Sequence, residues 1–135
     1  MNEAELLFTD LLSCERAELY LDKKKILDSS KSGFIASVLK RRVNFEPLQY
    51  ILGKAHFYGL EFFVNPAVLI PRPETELLVE SAIKYLESKT EDLKAIRILD
   101  LCTGSGCIAI TLAKSIKNAD IFASDISKDA LVIAT

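Results

Sequence analysis

A glycine-containing turn between two apolar segments, residues 96–101 and 121–124, constrains this chain more than any other feature. The first segment ends in Asp-Leu-Cys-Thr-Gly-Ser-Gly at residues 100–106, and we expect a helix to begin at or just after Gly106. Glycine lacks a Cβ, so the backbone can turn sharply and a ligand can lie against the amides at a helix N-terminus. The order strand, turn, helix, strand predicts a nucleoside-binding βαβ unit.

Two acids at the ends of the apolar segments narrow the choice of nucleoside. Asp125 follows Gly106 by nineteen residues, close to the roughly 20 at which an acid meets ribose hydroxyls. Residues 104–109 also fit the G-x-G-x-x-G/A pattern of dinucleotide enzymes, so the glycines alone leave the ligand open. Asp100, four residues before Gly104, resembles the acid of the first motif of S-adenosylmethionine methyltransferases. It could help to hold an ammonium group, whereas it would repel a pyrophosphate.

Composition excludes several classes of protein. The 135 residues are half apolar and 27% charged, enough for one ordinary domain or two small ones. The N-terminus lacks a secretion signal, and no segment approaches the roughly 18 apolar residues of a membrane span, so we expect a cytoplasmic protein without membrane association. Cys14, Cys102 and Cys107 are scattered without a C-x-x-C motif, so we expect neither disulfides nor a metal site.

The charge pattern argues against a nucleic-acid partner. The net charge is −2, and acidic and basic residues are spread along the chain. The two basic clusters, residues 23–25 and 40–42, are interpreted as solvated helix faces or ends. We therefore expect no direct sequence-specific contact with nucleic acid.

Residues 1–45 are predicted to form a small helical domain. Apolar residues recur at helical spacing within residues 4–12 and 17–21. Ser32 is the expected N-cap of a third helix, with the basic residues 40–42 in its last turn. Its buried side is expected to carry Phe34, Ile35, Val38 and Leu39.

Residues 46–70 are predicted to be a linker with a β-hairpin. A helical turn ends at Gly53. Two aromatic and β-branched segments follow, residues 56–58 and 62–64, separated by three residues that form the expected turn.

Residues 71–135 are expected to begin a second domain. Pro73 suits the first position of a helix. The expected apolar face of that helix is Leu77, Leu78, Ala82, Ile83 and Leu86. Arg72 lies between two prolines that fix its backbone, which favours a charge aimed at a pocket. Arg72, Thr75 and Glu76 are therefore candidate substrate-binding residues, although Glu76 also suits the positive end of the helix.

Three separated motifs, residues 47–53, 57–60 and 69–76, precede the glycine turn at residues 100–106 in an order that resembles the release factor glutamine methyltransferases. The resemblance implies an α/β chain: a helical release-factor-binding domain, a hairpin linker, and the start of a Rossmann-like S-adenosylmethionine-dependent methyltransferase domain. It implies S-adenosyl-L-methionine as the cofactor. It also implies peptide chain release factors as protein substrates, methylated on the glutamine side-chain amide of their Gly-Gly-Gln loop.

The same resemblance assigns the cofactor-binding residues. The ribose acid falls on Asp125, and the cofactor loop comprises Cys102, Thr103, Gly104, Ser105 and Gly106. Cys102 stands where the family usually has glycine, so we expect it to adopt a negative φ, as a cysteine does readily.

The family's Asn-Pro-Pro-Tyr motif, which orients the substrate amide, does not occur in these 135 residues. No catalytic residue is therefore assigned, and we expect a truncated chain that is inactive alone. The segments 96–101 and 121–124 read as nearly continuous apolar runs, which is typical of a parallel sheet buried on both faces. Two such strands cannot bury each other, so self-association through unpaired strands is a further expectation.

Two alternatives remain open. An amino methyltransferase of nucleic acid can share the same fold and catalytic signature. The chain could also be a non-catalytic module that only binds a release factor.

Overall fold

A computed structural model describes residues 2–21, 27–88 and 96–135. The basic cluster at residues 23–25 lies outside the described residues. The contacts divide the chain into two units, Met1–Leu52 and Gly53–Thr135. No described helix is long and apolar enough to cross a membrane.

The first unit is helical. Its described helices are α1 (Glu3–Leu12), α2 (Arg16–Leu21), α3 (Ser29–Val43) and α4 (Leu48–Leu52). A capping box opens α1, because the Asn2 side chain accepts from the Glu5 N–H at 2.8 Å and the Glu5 carboxylate accepts from the Asn2 N–H at 3.0 Å. Ser13 adopts a left-handed conformation and ends α1 between the two apolar segments 4–12 and 17–21.

Helix α3 begins before the predicted position. Asp28 is the N-cap, and its carboxylate accepts from the Lys31 N–H at 2.8 Å. The predicted cap at Ser32 is wrong, because the Ser32 N–H already donates to the Asp28 carbonyl as a helical residue. The predicted buried side is also wrong in part. Val38 is buried, whereas Phe34 and Leu39 are exposed.

The core of the helical unit is small. Leu7, Val38 and Leu48 are buried together, and Leu6, Ile51 and Leu52 pack against them in part. Because Leu48 of α4 packs against α1 and α3, the unit extends to Leu52 rather than ending near residue 45.

The described part of the second unit contains two small sheets and three helices. Its described elements are β1 (Lys54–Phe57), β2 (Leu60–Phe63), α5 (Pro73–Glu87), β3 (Ile96–Leu101), α6 (Cys107–Ser115), β4 (Ala119–Ser124) and α7 (Lys128–Ile133). Strands β1 and β2 pair antiparallel, and β3 and β4 pair parallel. The described architecture is thus mixed α/β.

The hairpin turn is shorter than predicted. Tyr58 and Gly59 have φ values of 50° and 73°, which fits a two-residue turn with both central residues left-handed. Leu60 therefore belongs to β2 rather than to the turn. Phe57 and Phe62 pack edge to face, 6.2 Å between ring centroids, within the core of the second unit. The hairpin is thus an integral part of this unit rather than a separate linker.

Helix α5 begins at Pro73, as predicted, but turns a different face to the core. Val79 is fully buried, and Ala82 and Ile83 pack near it. Leu77 and Leu78 are more than half exposed, so their predicted burial is wrong. The core-facing positions are those spaced three and four residues from Val79.

The parallel pair is buried on one face only. Ile98 and Ile121 pack against the core with α6, whereas Leu99, Leu101 and Phe122 are each more than half exposed. Among the described residues only one face of this pair is covered, which agrees with the expectation that two such strands cannot bury each other. Self-association through these strands stays a prediction.

Candidate functional site

The parallel register brings the two acids to one edge of the sheet. Asp100 lies opposite Ala123, and Leu101 lies opposite Ser124, so β3 and β4 end side by side. The Thr103 N–H donates to the Ser124 carbonyl at 3.0 Å and ties the turn to the end of β4. The glycine turn and Asp125, which follow these two ends, therefore share one site.

The turn alternates between left-handed and ordinary residues. Cys102, Gly104 and Gly106 have φ values of 62°, 57° and 77°. The predicted negative φ at Cys102 is wrong. The chain must reverse directly after β3 for the Thr103 N–H to reach Ser124, and Cys102 makes that reversal. A left-handed non-glycine residue costs about 1–2 kcal/mol.

The two glycines serve different purposes. A Cβ at Gly106 would lie 3.1 Å from Ile110 Cδ1 and 3.2 Å from Ala134 Cβ, so Gly106 permits close packing where α6 begins. A Cβ at Gly104 would meet nothing within 4 Å. Open space beside a glycine amide at this sheet edge fits a ligand lying against the turn.

Asp125 links the glycine turn to the start of α7 through its two carboxylate oxygens. Its Oδ1 accepts from the Ser127 N–H and its Oδ2 from the Gly104 N–H, each at 2.9 Å. These backbone donors, Ser127 first, hold the pKa of Asp125 below its usual value, so the group is a carboxylate at neutral pH. The Ile126 N–H also lowers this pKa. A carboxylate has about four acceptor sites on its two oxygens, so Asp125 can still accept from a ligand hydroxyl.

Asp100 is held through one oxygen. Its Oδ2 accepts from the Thr103 hydroxyl at 2.7 Å and from the Ala109 N–H in the first turn of α6 at 3.2 Å. Its Oδ1 has no hydrogen-bond partner among the described residues. This oxygen remains able to accept from a ligand.

Ser105 is buried beneath the turn. Its hydroxyl lies beside the Cys107 thiol and has no partner of ordinary hydrogen-bond geometry within the described part of the chain. Burial raises the pKa of the Cys107 thiol, which is therefore protonated at neutral pH. Ser105 also lines a cavity of about 200 Å³ whose other walls come from β2, α6 and α7.

The candidate substrate-binding residues lie at the start of α5. Arg72 is the exposed N-cap residue, and its carbonyl accepts from the Thr75 N–H at 3.0 Å. The Glu76 carboxylate accepts from the Tyr58 N–H at 2.7 Å and ties α5 to the hairpin turn. The described hydrogen bonds of Thr75 and Glu76 thus involve their own helix and the hairpin rather than residues 102–106.

The sequence interpretation missed one supporting hydrogen bond and one supporting residue. Thr103 was predicted as part of the cofactor loop, but its hydrogen bond to Asp100 was not predicted. Ser127 caps α7 by accepting from the Ala130 N–H at 3.2 Å, and the Asp-x-Ser spacing to Asp125 was the available signal. The residues that the structure describes contain no cluster of metal-ligating side chains.

The fold and the site define a class of protein: an α/β chain whose helical unit precedes a parallel βαβ unit with a glycine turn and two acids at the strand ends. Residues 1–53 match the PrmC N-terminal domain family.

Comparison with curated relatives specifies the family. The chain is 46% identical over 132 residues to the release factor glutamine methyltransferase of Chlorobaculum tepidum, covering 97% of this chain and 45% of the relative. Identity to the proteins of the same name from Leptospira interrogans and Thermodesulfovibrio yellowstonii is 45% and 41%, over 98% and 100% of this chain and 46% and 47% of theirs. By sequence the chain is similar over nearly its whole length to release factor glutamine methyltransferases, and it spans about half the length of these relatives.

Proposed function

We propose that this chain supplies the cofactor-binding part of an S-adenosylmethionine-dependent methyltransferase. The observation that carries the proposal is the pair of acids, Asp100 and Asp125, on either side of a glycine turn at one sheet edge. The names of its relatives add support for methyl transfer.

The ribose would bind Asp125. This carboxylate is ionised, backbone N–H groups of Ser127, Gly104 and Ile126 fix it, and it can still accept from a ribose hydroxyl. The neighbouring Gly104 has open space where a side chain would otherwise lie. We place the nucleoside against this turn, with Cys102 and Gly106 as further contacts and Thr103 and Ser105 as its buried supports.

The amino acid part of the cofactor carries an ammonium group, which would bind Asp100. The free Oδ1 of Asp100 is the acceptor, since Oδ2 is occupied by Thr103 and Ala109. When bound, S-adenosylmethionine supplies a methyl group on a sulfonium centre. The residues described here hold and orient that donor.

The acceptor we propose is the glutamine side-chain amide in the Gly-Gly-Gln loop of a peptide chain release factor, in the cytoplasm. The helical unit would bind the release factor, and Arg72, Thr75 and Glu76 are proposed to contact the substrate. The Asn-Pro-Pro-Tyr motif that would orient the amide does not occur in these 135 residues. We therefore expect no methyl transfer by this chain alone.

Calorimetric titration with S-adenosylhomocysteine tests the cofactor site. We expect Asp125→Asn to weaken binding about tenfold or more, because hydroxyls then lose an ionised acceptor. Asp120→Asn is the matched control, an exposed acid on the strand that ends just before Asp125, and we expect it to leave the affinity unchanged. Equal affinities of the wild type and Asp125→Asn would refute the assignment.

Methyl transfer and partner binding are separate measurements. Incubation of this chain with labelled S-adenosylmethionine and a release factor should give no labelled protein; a labelled product would contradict the expected inactivity. Release-factor binding without any S-adenosylhomocysteine affinity would instead favour a non-catalytic binding module.

A further inference from the structure

We infer that Thr103 is a positioning residue that fixes the Asp100 carboxylate so that a single oxygen faces the cofactor's ammonium group. The inference rests on the proposed cofactor site. It assigns Thr103 an action through Asp100 rather than a direct contact with the ligand.

The polar groups of Thr103 are engaged within the protein. Thr103 is only 6% exposed. Its hydroxyl donates to Asp100 Oδ2, its N–H donates to the Ser124 carbonyl at 3.0 Å, and its own carbonyl accepts from the Gly106 N–H at 2.9 Å. One residue thus connects the end of β3, the end of β4 and the start of α6.

The carboxylate of Asp100 is consequently asymmetric. Oδ2 accepts two hydrogen bonds, from Thr103 and from the Ala109 N–H, which fill its two lone pairs. Oδ1 accepts none from the described residues. A carboxylate fixed in this way presents one directional acceptor, which suits a compact ammonium better than a planar guanidinium that binds two oxygens at once.

Thr103→Val tests this role because valine keeps the branched shape and removes the hydroxyl. With only the longer bond from Ala109 left on Oδ2, the carboxylate can rotate and Oδ1 is no longer held toward the ligand. Two nucleosides separate this effect from loop folding. S-adenosylhomocysteine carries the ammonium group, whereas 5′-methylthioadenosine has the same nucleoside and thioether without the amino acid part.

The readout is the ratio of the two dissociation constants, measured by following backbone amide shifts in NMR titrations that reach millimolar ligand. We expect Thr103→Val to raise the dissociation constant of S-adenosylhomocysteine about tenfold and to leave that of 5′-methylthioadenosine unchanged. Thr103→Ser retains the hydroxyl and should restore the wild-type ratio. The ratio is independent of the fraction of correctly folded protein.

Three results would overturn the inference. An equal loss of affinity for both ligands would mean that Thr103 only supports the loop. No loss of affinity for either ligand would mean that the Thr103 hydroxyl does not matter for binding. Failure of Thr103→Ser to restore the ratio would exclude the hydroxyl as the cause. If Thr103→Val does not fold, Thr103→Ala takes its place under the same criteria. A wild-type chain that binds neither nucleoside refutes the proposed function itself, whereas binding of both with an unchanged ratio refutes only the role of Thr103.

Discussion

Different interactions stabilise each of the two units of this chain internally. In the helical unit, the described core consists of Leu7, Val38 and Leu48, and charged hydrogen bonds supplement it. In the second unit, the hairpin and helices contribute a larger apolar core that includes Phe57 and Val79. A small core leaves more of the stability to polar contacts, so the two units should respond differently to acid and to loss of apolar groups.

Glu5 is the centre of the polar contacts in the helical unit. It is buried in α1, and its carboxylate accepts from the Asn2 N–H, the Arg16 guanidinium at 2.9 Å and the Tyr20 hydroxyl at 2.6 Å. These bonds join α2 to α1. The second unit uses its acids at the sheet edge instead, where Asp125 holds the glycine turn.

The largest expected effect is in the apolar core of the second unit. Phe57 is 1% exposed, and we expect Phe57→Ala to lower the free energy of unfolding of that unit by about 4 kcal/mol. Urea titration followed by the amide signals of each unit measures it. Phe63→Ala is the control, because Phe63 lies in the same hairpin but is 75% exposed. This variant should lower the free energy of unfolding by no more than about 0.5 kcal/mol. Similar losses for both variants would disprove the assigned core.

A somewhat smaller loss is expected in the helical unit. Leu48 is buried against Leu7 and Val38. Leu48→Ala should therefore lower the free energy of unfolding of the helical unit by about 3 kcal/mol. The amide signals of residues 2–21 should then report unfolding at a lower urea concentration than in the wild type. Leu39→Ala, at an exposed leucine, is the comparison. A loss confined to the second unit would contradict the boundary after Leu52.

Acid should distinguish the units further. Hydrogen bonds from Tyr20, Asn2 and Arg16 lower the pKa of Glu5 from its ordinary 4.5 to about 2. Because the folded value is the lower one, this stabilisation is present above pH 4.5 and is lost as the pH falls toward 2. We expect Glu5→Gln to flatten the acid dependence of the helical unit in a pH series of urea titrations. An unchanged pH profile in this variant would argue against Glu5 as the cause.

The smallest expected effect concerns the glycine turn. Cys102 adopts a φ of 62°, and Cys102→Gly should raise the stability of the second unit by about 1 kcal/mol or less, since glycine adopts this conformation without strain. Cys102→Ala retains a Cβ and should give no such gain in urea titration. If both variants give the same gain, backbone strain is not its source.

The parts of the fold that local patterns determine could be predicted from the sequence. The start of α6 after Gly106 and the helix that begins at Pro73 follow from residues within a few positions of each boundary. The left-handed Cys102 could not be predicted, because it depends on the Thr103 N–H reaching Ser124, twenty-one residues away. The burial of Val79 likewise depends on the packing of other elements against α5.

The candidate site divides in the same way. The acids and glycines were recognisable by spacing, and the parallel register brings the strand ends together. Which oxygen of Asp100 stays free was not recognisable, since it is decided by hydrogen bonds from Thr103 and Ala109. The assignment of these residues to a cofactor stays a prediction.

A crystal structure of this chain with S-adenosylhomocysteine would test the nucleoside site most directly. We expect the two ribose hydroxyls to lie about 2.7–3.0 Å from Asp125 Oδ1 and Oδ2, with the nucleoside against Gly104. A ligand bound elsewhere, with the turn and Asp125 unchanged and free of contact, would contradict the site.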